Sequence, residues 1–238
     1  MITRIAAMVC LVCLWLGQAG ISHAENWQWV HSSEALRAEI DTDSVQKIGK
    51  EEYRVWTRIL NAKGEVIGKD MIEYQVKEDK YLMYYGMERT IAYMEDGEVK
   101  KWTKPKYKPI YPIGMDGYFL AYLNDRFGDK SVKAPDWQWF YSTDTTTYTI
   151  EVGTVSCVDG VYSAWIRGYT PHLAKYSEPY SHTRIEFKQD RFGKLLLREV
   201  YSVSNAGPHP DASAWRLVEG DVTAEKAYKA ILYHLGEK

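Results

Sequence analysis

The side chains able to do acid–base, nucleophilic or metal chemistry are few and scattered. Histidines beyond His23 stand at His31, His172, His182, His209 and His234. No two of them have the i, i+4 or short-loop spacing that a metal site uses. Cys157 has no nucleophile signature around it, and no Gly-x-Ser-x-Gly, phosphate loop or dinucleotide fingerprint occurs anywhere. Glu39, Asp41 and Asp43 alternate and could offer oxygens to a hard cation. Calcium, however, asks for about six or more oxygens and a glycine turn, whereas Asp41-Thr42-Asp43-Ser44 is ordinary turn chemistry. Glu73 and Glu186 lie among apolar neighbours, where an arginine such as Arg58 or Arg167 is the expected partner. These residues predict a non-enzyme with no catalytic group, no metal and no cofactor.

Aromatic side chains are the more promising surface. The chain has 19 Tyr and 9 Trp against 5 Phe, and aromatics with a polar tip suit half-buried strands and contact surfaces. Lys104 to Pro112 is stretched by its prolines and carries Tyr107 and Tyr111. It is either a link from the last strand to a helix or a partner-contacting strap. A second loop runs from Tyr169 through His172 and Tyr176 to Tyr180. These six residues are the candidate binding residues. With a net charge of −2, the chain lacks the basic excess that nucleic acid would require.

The elements that must hold these residues come in two sets. Trp27-Gln28-Trp29 recurs as Trp137-Gln138-Trp139, Trp56 matches Trp165, Ile72-Glu73-Tyr74 matches Ile185-Glu186-Phe187, and Trp102 matches Trp215. Eight tryptophans thus pair in order, as an internal duplication requires, and they are read as structural anchors. The repeats span 25–128 and 136–238, joined by a polar linker at 129–135 that ends in a proline.

Within a repeat, period-2 alternation predicts strands. Trp27, Trp29 and His31 share one face; Leu36–Ile40, Tyr53–Ile59, Val66–Val76, Tyr81–Met87, Thr90–Met94 and Glu98–Trp102 follow. Asp96-Gly97 is a hairpin turn. Met115 to Phe127 has helical spacing, with Asp116 as the expected cap and Gly128 as the stop. Ala224 to Leu235 repeats that pattern, with Thr223 as cap and Gly236 as stop. The fold class is therefore α+β: two tandem domains, each an antiparallel sheet of about six strands with one C-terminal helix.

The run Ile40-Asp41-Thr42-Asp43-Ser44-Val45, set between an early tryptophan and Val55-Trp56, resembles the surface-adhesin protein E family of exported bacterial domains. Copy two departs from the motif by placing Glu151 where the pattern has Asp. The resemblance implies a sheet with a C-terminal helix, an envelope location and adhesion, and it carries over no catalytic residue.

The amino terminus reads as an export signal, residues 1–24. Arg4 precedes an apolar run of 12 residues from Ile5 to Leu16, and Ser22-His23-Ala24 supplies small residues at the cut. That run is short of the about 20 residues that cross a bilayer. Cys10 and Cys13 would leave with it, so Cys157 is expected to be buried and unpaired. The whole reading is an exported, periplasmic or cell-surface, macromolecule-binding or adhesion protein. A periplasmic small-ligand-binding or sensing protein is the alternative.

Overall fold

The structure is a computed structural model. It describes residues 25–33, 35–79, 82–128, 132–175, 180–204, 207–209 and 212–237. The expected export signal and Tyr176 lie outside the described residues. No helix among those described is long and apolar enough to cross a membrane.

Period-2 sequences become strands, and two antiparallel sheets result. The first half supplies β1 (Trp27–Ser32), β2 (Leu36–Asp41), β3 (Gln46–Gly49), β4 (Glu52–Asn61), β5 (Val66–Val76), β6 (Gly86–Glu95), β7 (Glu98–Lys101) and β8 (Lys108–Ile110), followed by helix α1 (Met115–Phe127). The second half supplies β9 (Trp137–Ser142), β10 (Thr147–Val158), β11 (Val161–Tyr169), β12 (Tyr180–Gln189), β13 (Leu195–Ser204), β14 (Gly207–His209) and β15 (Arg216–Leu217), followed by α2 (Val222–Leu235). The sheets have 8 and 7 strands rather than about six. The three additional strands are short: β3 runs along β4, β8 along β6, and β15 along β13.

The two strand orders are the same. The first sheet runs β1-β2-β4-β5-β6-β7 with β3 on β4, and the second runs β9-β10-β11-β12-β13-β14. Strand β10 does the work of β2 and β3 together. A 3-10 turn at Thr42–Ser44 separates the first pair, and a register shift between Glu151 and Ser156 marks the same place in β10.

The hydrogen bonds at that break repeat atom for atom. The Asn26 amide donates to Asp41 Oδ1 at 3.0 Å, and the Asp136 amide to Glu151 Oε1 at 2.8 Å. The Ser44 hydroxyl donates to the Asp41 carbonyl, and the Thr154 hydroxyl to the Glu151 carbonyl, both at 2.8 Å. Each hydroxyl then accepts from a tryptophan amide, Trp56 at 2.9 Å and Trp165 at 3.1 Å. A carboxylate and a hydroxyl so placed satisfy backbone donors that a broken strand leaves open. This explains the Asp41-x-x-Ser44 pattern without an ion.

Each helix covers one face of its own sheet. Phe119, Leu120 and Leu123 pack with Ile40, Tyr53, Val55 and Tyr74; Ala224, Ala227 and Ile231 pack with Ile150, Ala164, Phe187 and Leu197. Burying a large apolar side chain stabilises by about 1.5–3 kcal/mol, so each helix is held mainly by its stripe. Gly86 permits the close approach of α1, since a Cβ there would lie 2.3 Å from the Gln75 carbonyl and 2.5 Å from Leu120.

Several expectations change. The predicted strand at Tyr81–Met87 is not formed: the chain reaches the sheet at Gly86 and runs as one strand to Glu95, with Leu82 at a positive φ of 53°. Tyr81 itself is outside the described residues. A register shift between Trp29 and His31 turns His31 to the helix side, where it stacks on Tyr118 with centroids 3.7 Å apart. Gly114, not Asp116, caps α1, and Asp221, not Thr223, caps α2 by accepting from the Ala224 amide at 3.0 Å. Gly207–His209, loop by composition, pairs with β13. In the expected linker, Val132 is buried in the first core. Cys157 is exposed, not buried: its register opposite Tyr162 puts it near the Asp159-Gly160 turn at the end of the strand.

Candidate binding face

The face of each sheet turned away from its helix carries alternating aromatic, basic and acidic residues. In β4, Arg54, Trp56 and Arg58 share that face, because Tyr53, Val55 and Thr57 are taken by the core. On the first sheet Glu39 lies under Arg37 and Arg58, and Glu73 under Arg54 and Arg89. The expected Arg58 partner for Glu73 is thus replaced by two closer arginines from the flanking strands. Both carboxylates are buried, 2% and 1% exposed, while the guanidiniums reach solvent. Hydrogen bonds from Arg54 and Arg89 hold the Glu73 carboxyl below its ordinary range against the opposing effect of burial.

Aromatic rings sit over these guanidiniums in matching places. Arg58 lies 4.3 Å from the Trp27 ring centre, and Arg167 4.6 Å from that of Trp137. Arg89 lies 4.4 Å from Tyr107, and Arg198 4.6 Å from Trp215. Arg198 also pairs with Glu186, as Arg89 does with Glu73. Tyr107 is therefore the counterpart of Trp215. Trp102, matched to Trp215 by order alone, instead meets Tyr93 edge-on beyond β7. Nor are the tryptophans uniformly anchors: Trp165 is fully buried, but Trp29, Trp102 and Trp139 are 56%, 51% and 67% exposed.

The two faces differ in what covers them. On the second sheet Glu151, Trp165 and Arg184 are 0% exposed, because the first half lies on them. Tyr111 stacks on Tyr201 with centroids 5.0 Å apart and lies 6.2 Å from Trp165. Tyr85 comes beside Glu151, close enough for each to perturb the other, and Tyr118 and His31 face Arg167. Of the corresponding residues of the first sheet, Asp41 is also buried, but Trp56 and Met71 remain half-buried, and among the described residues the second half does not lie on them.

The candidate residues do not converge on one point. Tyr107 is on the first outer face, its hydroxyl 3.5 Å from Glu73 Oε2. Tyr111 is in the junction. Tyr169 and Tyr180 pair across β11 and β12, with centroids 5.0 Å apart, and Arg167 lies 5.3 Å from Tyr180 at the junction's rim. His172 is exposed on a 3-10 turn. Sequence reasoning missed Tyr85, His182 and Arg184. Burial, then the charge of Arg167, pushes His182 down to about 4. No local signal marked Arg184, since β12 reads Tyr-Ser-His-Thr-Arg-Ile-Glu-Phe-Lys-Gln and is polar along most of its length.

A second cluster joins α1 to the first sheet. The Tyr74 hydroxyl donates to Asp116 Oδ1 at 2.9 Å. Glu88, opposite Tyr74 in the register, meets the same carboxylate. Burial, then the Asp116 charge, pushes Glu88 up to about 9, with Lys108 opposing from β8. A protonated Glu88 can donate to Asp116 and so tie β6 to the helix.

The molecule is thus a duplicated antiparallel α+β unit in which one half rests on the outer face of the other. No protein-family profile, curated protein or solved structure matches the chain.

Proposed function

We propose that this chain is an exported, non-enzymatic envelope protein of bacteria that binds a macromolecule, as a surface-adhesin protein E-like module would. The binding surface in this reading is the outer face of the first sheet: Trp29, Trp56, Arg37, Arg54 and Arg89. One observation carries the proposal. The equivalent face of the second sheet already serves as a docking surface within the molecule, buried under Tyr85 and Tyr111, whereas the first remains open. Exposed guanidiniums stacked on aromatic rings are strong contact groups once desolvated. Arg37, Arg54, Arg58 and Arg89 present guanidiniums above the buried Glu39 and Glu73, donors that suit surface carboxylates of a partner.

The test is a photo-crosslinking residue placed at Trp29 or Arg37, with Tyr233 on α2 as control, in fractionated native cells. The expected result is one envelope-fraction adduct from Trp29 and Arg37, lost in an Arg54→Glu, Arg89→Glu variant. Equal adducts from Tyr233, or recovery of the chain in the cytoplasmic fraction, would overturn the reading.

A further inference from the structure

The junction between the halves contains a row of three buried side chains whose polar atoms are unsatisfied. Glu151, Trp165 and Arg184 lie side by side across β10, β11 and β12, each directly opposite the next in the register. All three are 0% exposed. Glu151 Oε2, Trp165 Nε1 and Arg184 Nε have no hydrogen-bond partner. Buried polar atoms in folded proteins are almost always paired, and an orphan marks a water, an ion or a ligand. Three on one row make a polar site, not an isolated defect.

The chemistry of the row favours an oxyanion over water. Arg184 donates from one terminal nitrogen to the Thr154 carbonyl at 2.8 Å and from the other to the Ser163 hydroxyl at 2.7 Å. Neither partner carries a charge, and among the described residues no carboxylate forms an ion pair with it. The nearby carboxylates act on it only at a distance: Glu186 binds Arg198, Asp79 accepts from the Met83 amide, and Glu151 Oε1 accepts from the Asp136 and Gly153 amides. A buried guanidinium with no carboxylate in direct contact is costly to keep. The fold does not demand that charge. At the same register point of the first sheet, opposite Trp56, the chain places Met71, and apolar packing serves there. Burial keeps the Glu151 carboxyl above its ordinary range, opposed by hydrogen bonds from the Asp136 amide, Tyr85 and the Gly153 amide that favour its charged form.

We infer that the Trp165–Arg184 pair in this row is a binding site for a compact, carboxylate-sized oxyanion, held by the indole N–H and the guanidinium Nε–H. Tyr85, Tyr111 and Tyr201 roof it, so the bound anion lies between the two halves and ties them together. The site is separate from the open face of the first sheet, and either can fail without the other.

The experiment uses sodium formate and sodium acetate as probes, titrated against sodium chloride at constant ionic strength. Two readouts are followed: the thermal midpoint and the indole N–H resonance of Trp165. The wild-type midpoint should rise with either carboxylate, and the Trp165 resonance should shift saturably. Arg184→Met, which installs the residue used at the matching point of the first sheet, should fold and give neither response. Trp165→Phe should bind about tenfold or more weakly, as loss of one hydrogen bond to a charged group predicts. Should Arg184→Met not fold, Trp165→Phe and the wild-type resonance still decide the matter. A wild-type protein that responds to carboxylate no differently from chloride holds ordered water only, and the inference falls. It falls equally if Arg184→Met keeps the full carboxylate response.

Discussion

Glu88 and Cys157 show what single residues add. Glu88 keeps a proton in the folded protein that the unfolded chain has lost, because burial and Asp116 raise it from 4.5 to about 9. A raised acid stabilises fully below its unfolded value and loses that contribution as pH climbs toward the folded value. The thermal midpoint should therefore decline from about pH 5 to about pH 9 through this group. Glu88→Gln, neutral throughout, should flatten that decline and be the more stable protein at alkaline pH, as calorimetry across this range would show. Cys157 is exposed, so a disulfide-exchange reagent should label it in the native protein as quickly as in the unfolded chain. Protection until unfolding would contradict its placement. The burial expected of it followed the habit of free cysteines; the register at a strand end overrode it.

At the scale of elements, periodicity was a sound guide wherever one face is buried. Val66–Val76 and Met115–Phe127 have the limits that alternation and helical spacing predict, because burial of one face fixes both register and length. Turn chemistry was equally legible: Asp96 and Gly97, with φ of 49° and 78°, form the expected hairpin turn. Periodicity failed at Tyr81–Met87, where alternating aromatics look like a strand but Tyr85 instead meets Glu151 of the other half. Caps were misplaced by two residues, since any Asp or Thr near a helix start fits the sequence pattern. Asp221→Ala removes the bond to the Ala224 amide and should cost about 1 kcal/mol, read as a lower denaturant midpoint with unchanged slope. Thr223→Ala should be close to neutral in the same measurement, as its side chain makes no cap bond.

At the scale of the whole molecule, the unequal use of two equivalent faces matters most. Tyr111 is the residue most central to that contact, stacking on Tyr201 and facing Trp165. Tyr111→Ala removes a half-buried ring from an aromatic cluster, and should cost less than the roughly 3–5 kcal/mol of a fully buried one. The expected outcome is loss of coupling: one calorimetric transition in the wild type becomes two, with each half retaining its own core. A single shifted transition in the variant would mean that the halves are coupled by something other than this ring. The amino-acid sequence by itself determined the duplication, the antiparallel α+β class, the two helices and the turn at Asp41–Ser44, because these rest on short-range spacing and on which face of an element is apolar. Tertiary structure alone decided which Arg meets which Glu, that Tyr107 rather than Trp102 is the counterpart of Trp215, and that one outer face is covered while the other is open. Those outcomes depend on strand register and on how one half lands on the other, and no local pattern of residues encodes either.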